Sequence, residues 1–152
     1  MARRLRALCS AIVVVACTGC KAKPASGIYP EQKAIALVAL ETFHQRFAAR
    51  DYEAIYRDST EGFRSHPKQD LIAAMKDTTE RWGKPGRSEI KATSCFPNQV
   101  RFLVETQFDR GPVAEVLVWS IEGRRALLHQ IQWYPGPVRF PDGATNECRS
   151  AG

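Results

Sequence analysis

The sequence predicts an α+β domain, with three helices segregated ahead of an antiparallel sheet of about four strands. Three observations predict it. Apolar residues recur at helical spacing between residues 30 and 82. From residue 88 onward the period changes to two. Turn signals a few residues long separate the later runs, and short turns make consecutive strands antiparallel neighbours. Helices grouped before such a meander pack together on one sheet face.

The first helix opens near Pro30, a residue suited to the first helical position because it has no N–H to leave unpaired. Ala36, Leu40, Phe43 and Phe47 fall at i, i+4, i+7 and i+11 and make one apolar stripe. Arg50-Asp51 breaks the pattern. Asp51 is placed to cap a second, short helix with Tyr52, Ile55 and Tyr56 on its inner side. Residues 59–65 read as a connector centred on Gly62. Pro67 suits the first turn of a third helix, whose buried side carries Leu71, Ile72, Met75, Thr79 and Trp82. Gly83 closes it and Pro85 stops its continuation.

The strands follow. Residues 88–96 form the first, with Ile90 and Ala92 inward. In residues 100–108, Phe102, Val104, Thr106 and Phe108 share one face, and Arg101, Leu103, Glu105 and Gln107 the other. Asp109-Arg110-Gly111-Pro112 turns the chain into a strand over residues 113–121. Glu122-Gly123 resembles a tight hairpin turn, and residues 125–134 form the last strand, ended by Pro135-Gly136-Pro137. No internal repeat or low-complexity run interrupts this order.

The N-terminus carries a different message. Arg3, Arg4 and Arg6 precede a short apolar run over residues 8–16, and small residues follow it. This is the plan of a secretory signal peptide. The run is too short to span a bilayer, which needs about 20 apolar residues. The junction Cys17-Thr18-Gly19-Cys20 resembles the bacterial lipobox, with Cys20 as the thiol that takes a diacylglycerol and Cys17 standing where an aliphatic is usual. The rival reading is an ordinary signal cut after Ala16. A redox or haem-attaching CxxC fits less well, since Lys21 follows Cys20 and the pair trails a signal sequence. The chain divides accordingly into a signal peptide at 1–19, the lipidated Cys20 and tether through 33, a globular domain at 34–135, and a tail at 136–152.

Charge and cysteine usage agree with export. The formal charge of +6 falls to +3 once the signal's three arginines, which come with no acids, are removed. So small an excess, scattered among sixteen acids, does not argue for nucleic acid and tolerates an anionic membrane. Cys9 and Cys17 leave with the signal, Cys20 takes lipid, and Cys95 and Cys148 remain as an even pair. In an oxidising compartment they read as one disulfide pinning the C-terminal tail, a closure that contributes about 4 kcal/mol in the chain-entropy account. A reactive thiol at Cys95 is the sharper alternative.

The stretches FAARDYEAIYRDSTEGFR, TERWGKPGRSEI and LLHQIQWYP, read in this order, resemble small bacterial domains of the nuclear transport factor 2-like, cystatin-like class, over roughly residues 34 to 135. In particular they resemble exported families known only as domains of unknown function. The resemblance implies helices over a curved sheet, a cone. It carries over no catalytic residues.

Chemistry-bearing residues are few. His129, mid-strand among Leu127, Leu128 and Ile131, is a candidate general base if it faces a pocket, and otherwise a hydrogen-bonded histidine on a half-buried sheet. Glu115 is a second catalytic candidate. It and Glu105 sit on adjacent strands, where they are an acid–base pair if they meet. Otherwise they are solvated charges with Arg101 and Arg125 as cross-strand partners. Trp119, Tyr134 and His129 are candidate pocket-lining residues, with sheet packing the plainer reading of the aromatics. His44, His66 and His129 show no metal-ligand spacing, and no phosphate-cradling loop or nucleophile elbow is present. No cofactor is expected.

Two functions follow as expectations. The first is a lipoprotein of the cell envelope with a non-enzymatic binding or protein-interaction role, an inhibitor or immunity protein being one variant. Its partners are the membrane, through the N-terminal lipid, and an envelope protein, peptide or small apolar ligand. Lys21 after the lipidated cysteine resembles outer-membrane sorting, hence the periplasmic face of that membrane. The alternative is a small ketosteroid-isomerase-like enzyme or ligand-binding protein using a pocket in the cone.

Overall fold

A computed structural model describes residues 30–139, and the expected signal peptide, Cys20, the expected tether before Pro30 and Cys148 lie outside the described residues. The elements run α1 (Pro30–Ala48), α2 (Tyr52–Arg57), α3 (Glu61–Arg64), α4 (Lys68–Trp82), β1 (Pro85–Phe96), β2 (Gln99–Phe108), β3 (Gly111–Glu122) and β4 (Arg125–Pro135). The four strands form one antiparallel meander in the order β1-β2-β3-β4. The expected α+β order is borne out. The helix count is corrected from three to four, because the connector at 59–65 contains α3. Thr60 caps α3 by accepting the Phe63 N–H at 3.1 Å. No described helix is long and apolar enough to cross a membrane.

The long helix α1 packs across all four strands, and α2 packs on both α1 and α4. The α1 stripe read from the sequence is the buried one: Ala36, Leu40, Phe43 and Phe47. Phe47 is its centre. Its ring stacks on Trp133 at 5.6 Å and on Phe43 at 5.5 Å, and meets Tyr52 and Phe108 edge to face at 5.8 and 6.4 Å. Aromatic pairs of this geometry contribute about 0.5–1.5 kcal/mol each beyond the area they bury.

The end of α1 is unusual. The Asp51 N–H bonds the Arg46 carbonyl at 2.9 Å and the Arg50 N–H bonds the Phe47 carbonyl at 3.1 Å. This is a Schellman closure with Arg50, at φ 59°, in the left-handed position that glycine normally takes. Asp51 then caps α2 by accepting the Ala54 N–H at 3.2 Å. Gly83 closes α4 at φ 88°, with its N–H on the Thr79 carbonyl at 2.9 Å. The β2–β3 turn finishes that cap. Arg110 donates from Nη1 to the Glu80 and Arg81 carbonyls at 2.9 and 2.8 Å, and Asp109 Oδ2 accepts the Lys84 N–H at 2.7 Å. A cation on the last carbonyls of a helix complements its dipole.

Register sets which side chains reach the core. Phe102, Val104, Thr106 and Phe108 of β2 all face the helices, as their alternation predicts. In β1 the expectation fails at Ala92. An irregularity between Ile90 and Ala92 advances the chain by one residue, so Ala92 pairs with the outward Leu103 while Thr93 and Cys95 take the buried positions. Ile90 pairs with the inward Val104 but stays 38% exposed at the sheet margin. The displaced Lys91 bonds Glu89 at 2.8 Å and reaches Glu105 at 3.8 Å. Glu89 and Glu105 are direct cross-strand neighbours, and the ammonium between them relieves their repulsion. The hydrogen bond from Lys91 holds the Glu89 carboxyl below its ordinary value, and the same bond raises the Lys91 ammonium.

Candidate functional site

The space between α1 and the sheet divides into two ends of opposite character. One end is closed and polar. Glu115 projects from β3 into the core and is 0% exposed. Its Oε2 accepts from His44 Nε2 at 2.8 Å and Thr106 Oγ1 at 2.6 Å, and its Oε1 accepts from Trp133 Nε1 at 3.0 Å. Because Thr106 donates its hydroxyl proton to Glu115, it accepts from Ser88 Oγ at 2.8 Å. The chain Ser88–Thr106–Glu115 thus runs across three strands and ends on the helix through His44. A buried carboxylate is tolerated only when its lone pairs are satisfied, and three donors do this here.

This geometry corrects the expectations for Glu115. It is not a solvated charge, and it does not meet Glu105. Glu105 pairs in register with Ala114 on the outer face, while Glu115 pairs with the inward Val104. Arg101 and Arg125 are not its partners. Arg101 lies over the Phe96 ring at 5.6 Å, and Arg125 stands opposite Glu122.

His129 sits at an irregularity of β4. β4 pairs Trp119 with Leu128 and Val118 with Gln130, which leaves His129 as the extra residue of a bulge. It is exposed, and its Nδ1 lies 3.2 Å from Thr60 Oγ1, the hydroxyl that caps α3. The neighbouring backbone reinforces this junction: the Thr60 N–H bonds the Leu128 carbonyl at 2.9 Å, and the Leu128 N–H bonds the Asp58 carbonyl at 3.2 Å. His129 therefore fastens α3 to the sheet margin and lines no cavity between α1 and the sheet.

The other end is open and mostly apolar. A cleft of about 340 Å³ runs between α1 and the β3–β4 hairpin. Ile35, Val38, Ala39 and Phe43 of α1 form one wall, Ile55 of α2 the base, and Trp119, Ala126, Leu127 and Leu128 the other wall. Its mouth holds Arg46, Asp58, Arg124 and Arg125. Arg46 is bound to Asp58 at 2.6 Å. Among the described residues, Arg124 and Arg125 have no acidic partner. Trp119 is 3% exposed, and its indole N–H is one of two buried side-chain polar atoms left without a hydrogen-bond partner among the described residues. An orphaned buried donor costs about 1–3 kcal/mol.

Trp119 lines this cleft. Tyr134 does not share it. It is 49% exposed on the outer sheet face, beside Leu103, Ala114 and Val116, with its hydroxyl on Gln132 at 2.7 Å. Cys95 is buried in the core behind β2, and its proposed mate Cys148 lies outside the described residues. Sequence reasoning missed His44 as a site residue. The available signal was its position four residues after Leu40, on the flank of the apolar stripe. Among the described residues no group of three or more His, Cys, Asp or Glu side chains is placed to hold a metal ion.

No protein-family model matches the sequence, and no curated protein matches it. Three solved structures are similar to this chain. One is a DUF4783 family protein from Bacteroides ovatus, at 12% identity and a TM-score of 0.44, covering 63% of this chain and 92% of its own. Another is an NTF2-like protein of unknown function from Cytophaga hutchinsonii, at 14% identity and a TM-score of 0.40, covering 71% and 92%. The third is an NTF-2 like protein of unknown function from Burkholderia xenovorans, at 17% identity and a TM-score of 0.44, covering 80% and 98%. Two of these neighbours are nuclear transport factor 2-like proteins, the class that the sequence resembles, and none of the three brings an activity with it.

Proposed function

We propose that this chain is a lipid-tethered protein of the bacterial cell envelope whose domain binds a small ligand without transforming it. The observation that carries the ligand reading is the cleft between α1 and the β3–β4 hairpin. Its volume of about 340 Å³ lies in the range of small-molecule sites, and apolar walls with a few polar groups at the mouth are their usual construction. The non-enzymatic part rests on where the two candidate bases stand. Glu115 is sealed and saturated at the opposite end, and His129 is spent on the α3 junction. The tether rests on the signal and lipobox, with Cys20 as the lipidated residue and the pair Cys95–Cys148 as the bridge that pins the tail. A tether keeps such a domain at the membrane surface, where apolar molecules partition.

Native mass spectrometry of the chain released from envelope membranes tests both parts. A small molecule should travel with the wild-type protein and be lost from Ala39→Trp, which fills the cleft. Binding that depends on His129, or turnover of the bound molecule, would sink the non-enzymatic reading. Mass spectrometry of the N-terminal peptide should find an acylated Cys20. A mature N-terminus at Cys17 with no acyl mass would remove the tether.

A further inference from the structure

The cleft is not neutral. The apolar wall runs along α1, while Arg124 and Arg125 project from the β3–β4 hairpin at the mouth with no carboxylate on either among the described residues. The single acid at that mouth, Asp58, is taken by Arg46. The lining therefore holds three guanidinium groups and one carboxylate. Guanidinium groups suit carboxylates and phosphates because their planar N–H donors match two oxygens at once. The second observation is independent of charge. Trp119 forms part of the wall, and its buried indole N–H has no acceptor. A ligand oxygen that reached this donor would complete it.

We infer that the cleft takes a single-tailed amphipathic anion, with its hydrocarbon tail along α1 and its acidic head at Arg124 and Arg125. The inference rests on the ligand-binding reading and adds its chemical class. Charge and shape act on different parts of such a molecule. The tail supplies affinity through buried apolar area, and the head fixes polarity and excludes cationic amphiphiles.

The test is calorimetric titration of the whole chain carrying Cys20→Ser, so that no attached acyl group competes, with decanoate, decanol and decyltrimethylammonium. These share a tail and differ in head charge. Proton–nitrogen NMR of the Trp119 indole, assigned by Trp119→Phe, reports occupancy of the cleft. Decanoate should bind tightest and move the Trp119 resonance. The double variant Arg124→Glu with Arg125→Glu, both on the exposed hairpin, should weaken decanoate about tenfold or more and leave decanol unchanged. If decanol or the cation binds as tightly as decanoate and moves the same resonance, the anion is overturned while ligand binding survives. If none of the three moves that resonance, both readings fall.

Discussion

The two ends of the α1–sheet interface are built from the same helix and the same strand, yet they solve opposite problems. At the closed end, both carboxylate oxygens of Glu115 on β3 have named partners, His44 of α1 among them. At the open end, Trp119, four residues along β3, keeps an indole N–H unsatisfied beside an apolar cleft with cations at its mouth. The lesson concerns where to look for function. A buried carboxylate attracts attention, but full satisfaction marks it as structural. The incomplete end, not the complete one, has room for something else.

Substitutions separate the two ends. The largest loss is expected at Phe47→Ala, which empties the aromatic centre next to Trp133. Urea denaturation should show about 3–5 kcal/mol less stability. Glu115→Gln comes next. One amide cannot accept from His44, Thr106 and Trp133 together, so about 3 kcal/mol should be lost, with decanoate affinity in the surviving folded protein unchanged. A loss of affinity at constant stability would reverse the roles assigned to the two ends.

Smaller effects probe the junctions. Arg110→Ala removes the cation from the last carbonyls of α4 and should lower the thermal midpoint by the equivalent of about 1 kcal/mol. Arg50→Gly should do the reverse. Glycine takes the left-handed closure of α1 without a Cβ clash, so a gain of about 0.5–1 kcal/mol is expected in the same melts.

Much of this was legible in the sequence, and the failures have physical causes. The stripe Ala36, Leu40, Phe43 and Phe47 and the alternation in β2 need only local periodicity, and both hold. Glu115 was misread although its own strand carried the signal. It occupies the inward row Val113, Glu115, Leu117, Trp119 and Ile121, and a lone carboxylate in an apolar row must be buried with partners. Ala92 and His129 were misplaced for another reason. Each follows or forms an irregularity in pairing, at Lys91 in β1 and at His129 in β4, and a one-residue slip turns side chains to the other face. Such slips are fixed by contacts distant in sequence: Thr60 for His129, and Glu105 for Lys91. The cleft depends on how α1 meets the hairpin and had no local signature beyond Trp119.

Those two irregularities have a consequence for life among crowded neighbours. β1 and β4 are the outer strands of an open sheet, and an open strand invites another chain to add itself. On one side, β1 carries breaks in pairing after Pro85 and after Ile90, with Arg87 in the first, Lys91 in the second and Glu89 between them. On the other, the β4 bulge meets Ser59, which bridges Leu128 and occupies part of the backbone that a foreign strand would use. A domain concentrated on a membrane, as the proposed lipid on Cys20 would concentrate this one, meets copies of itself constantly. Kinked, charged and partly covered borders let these domains crowd together without being stitched into a continuous sheet.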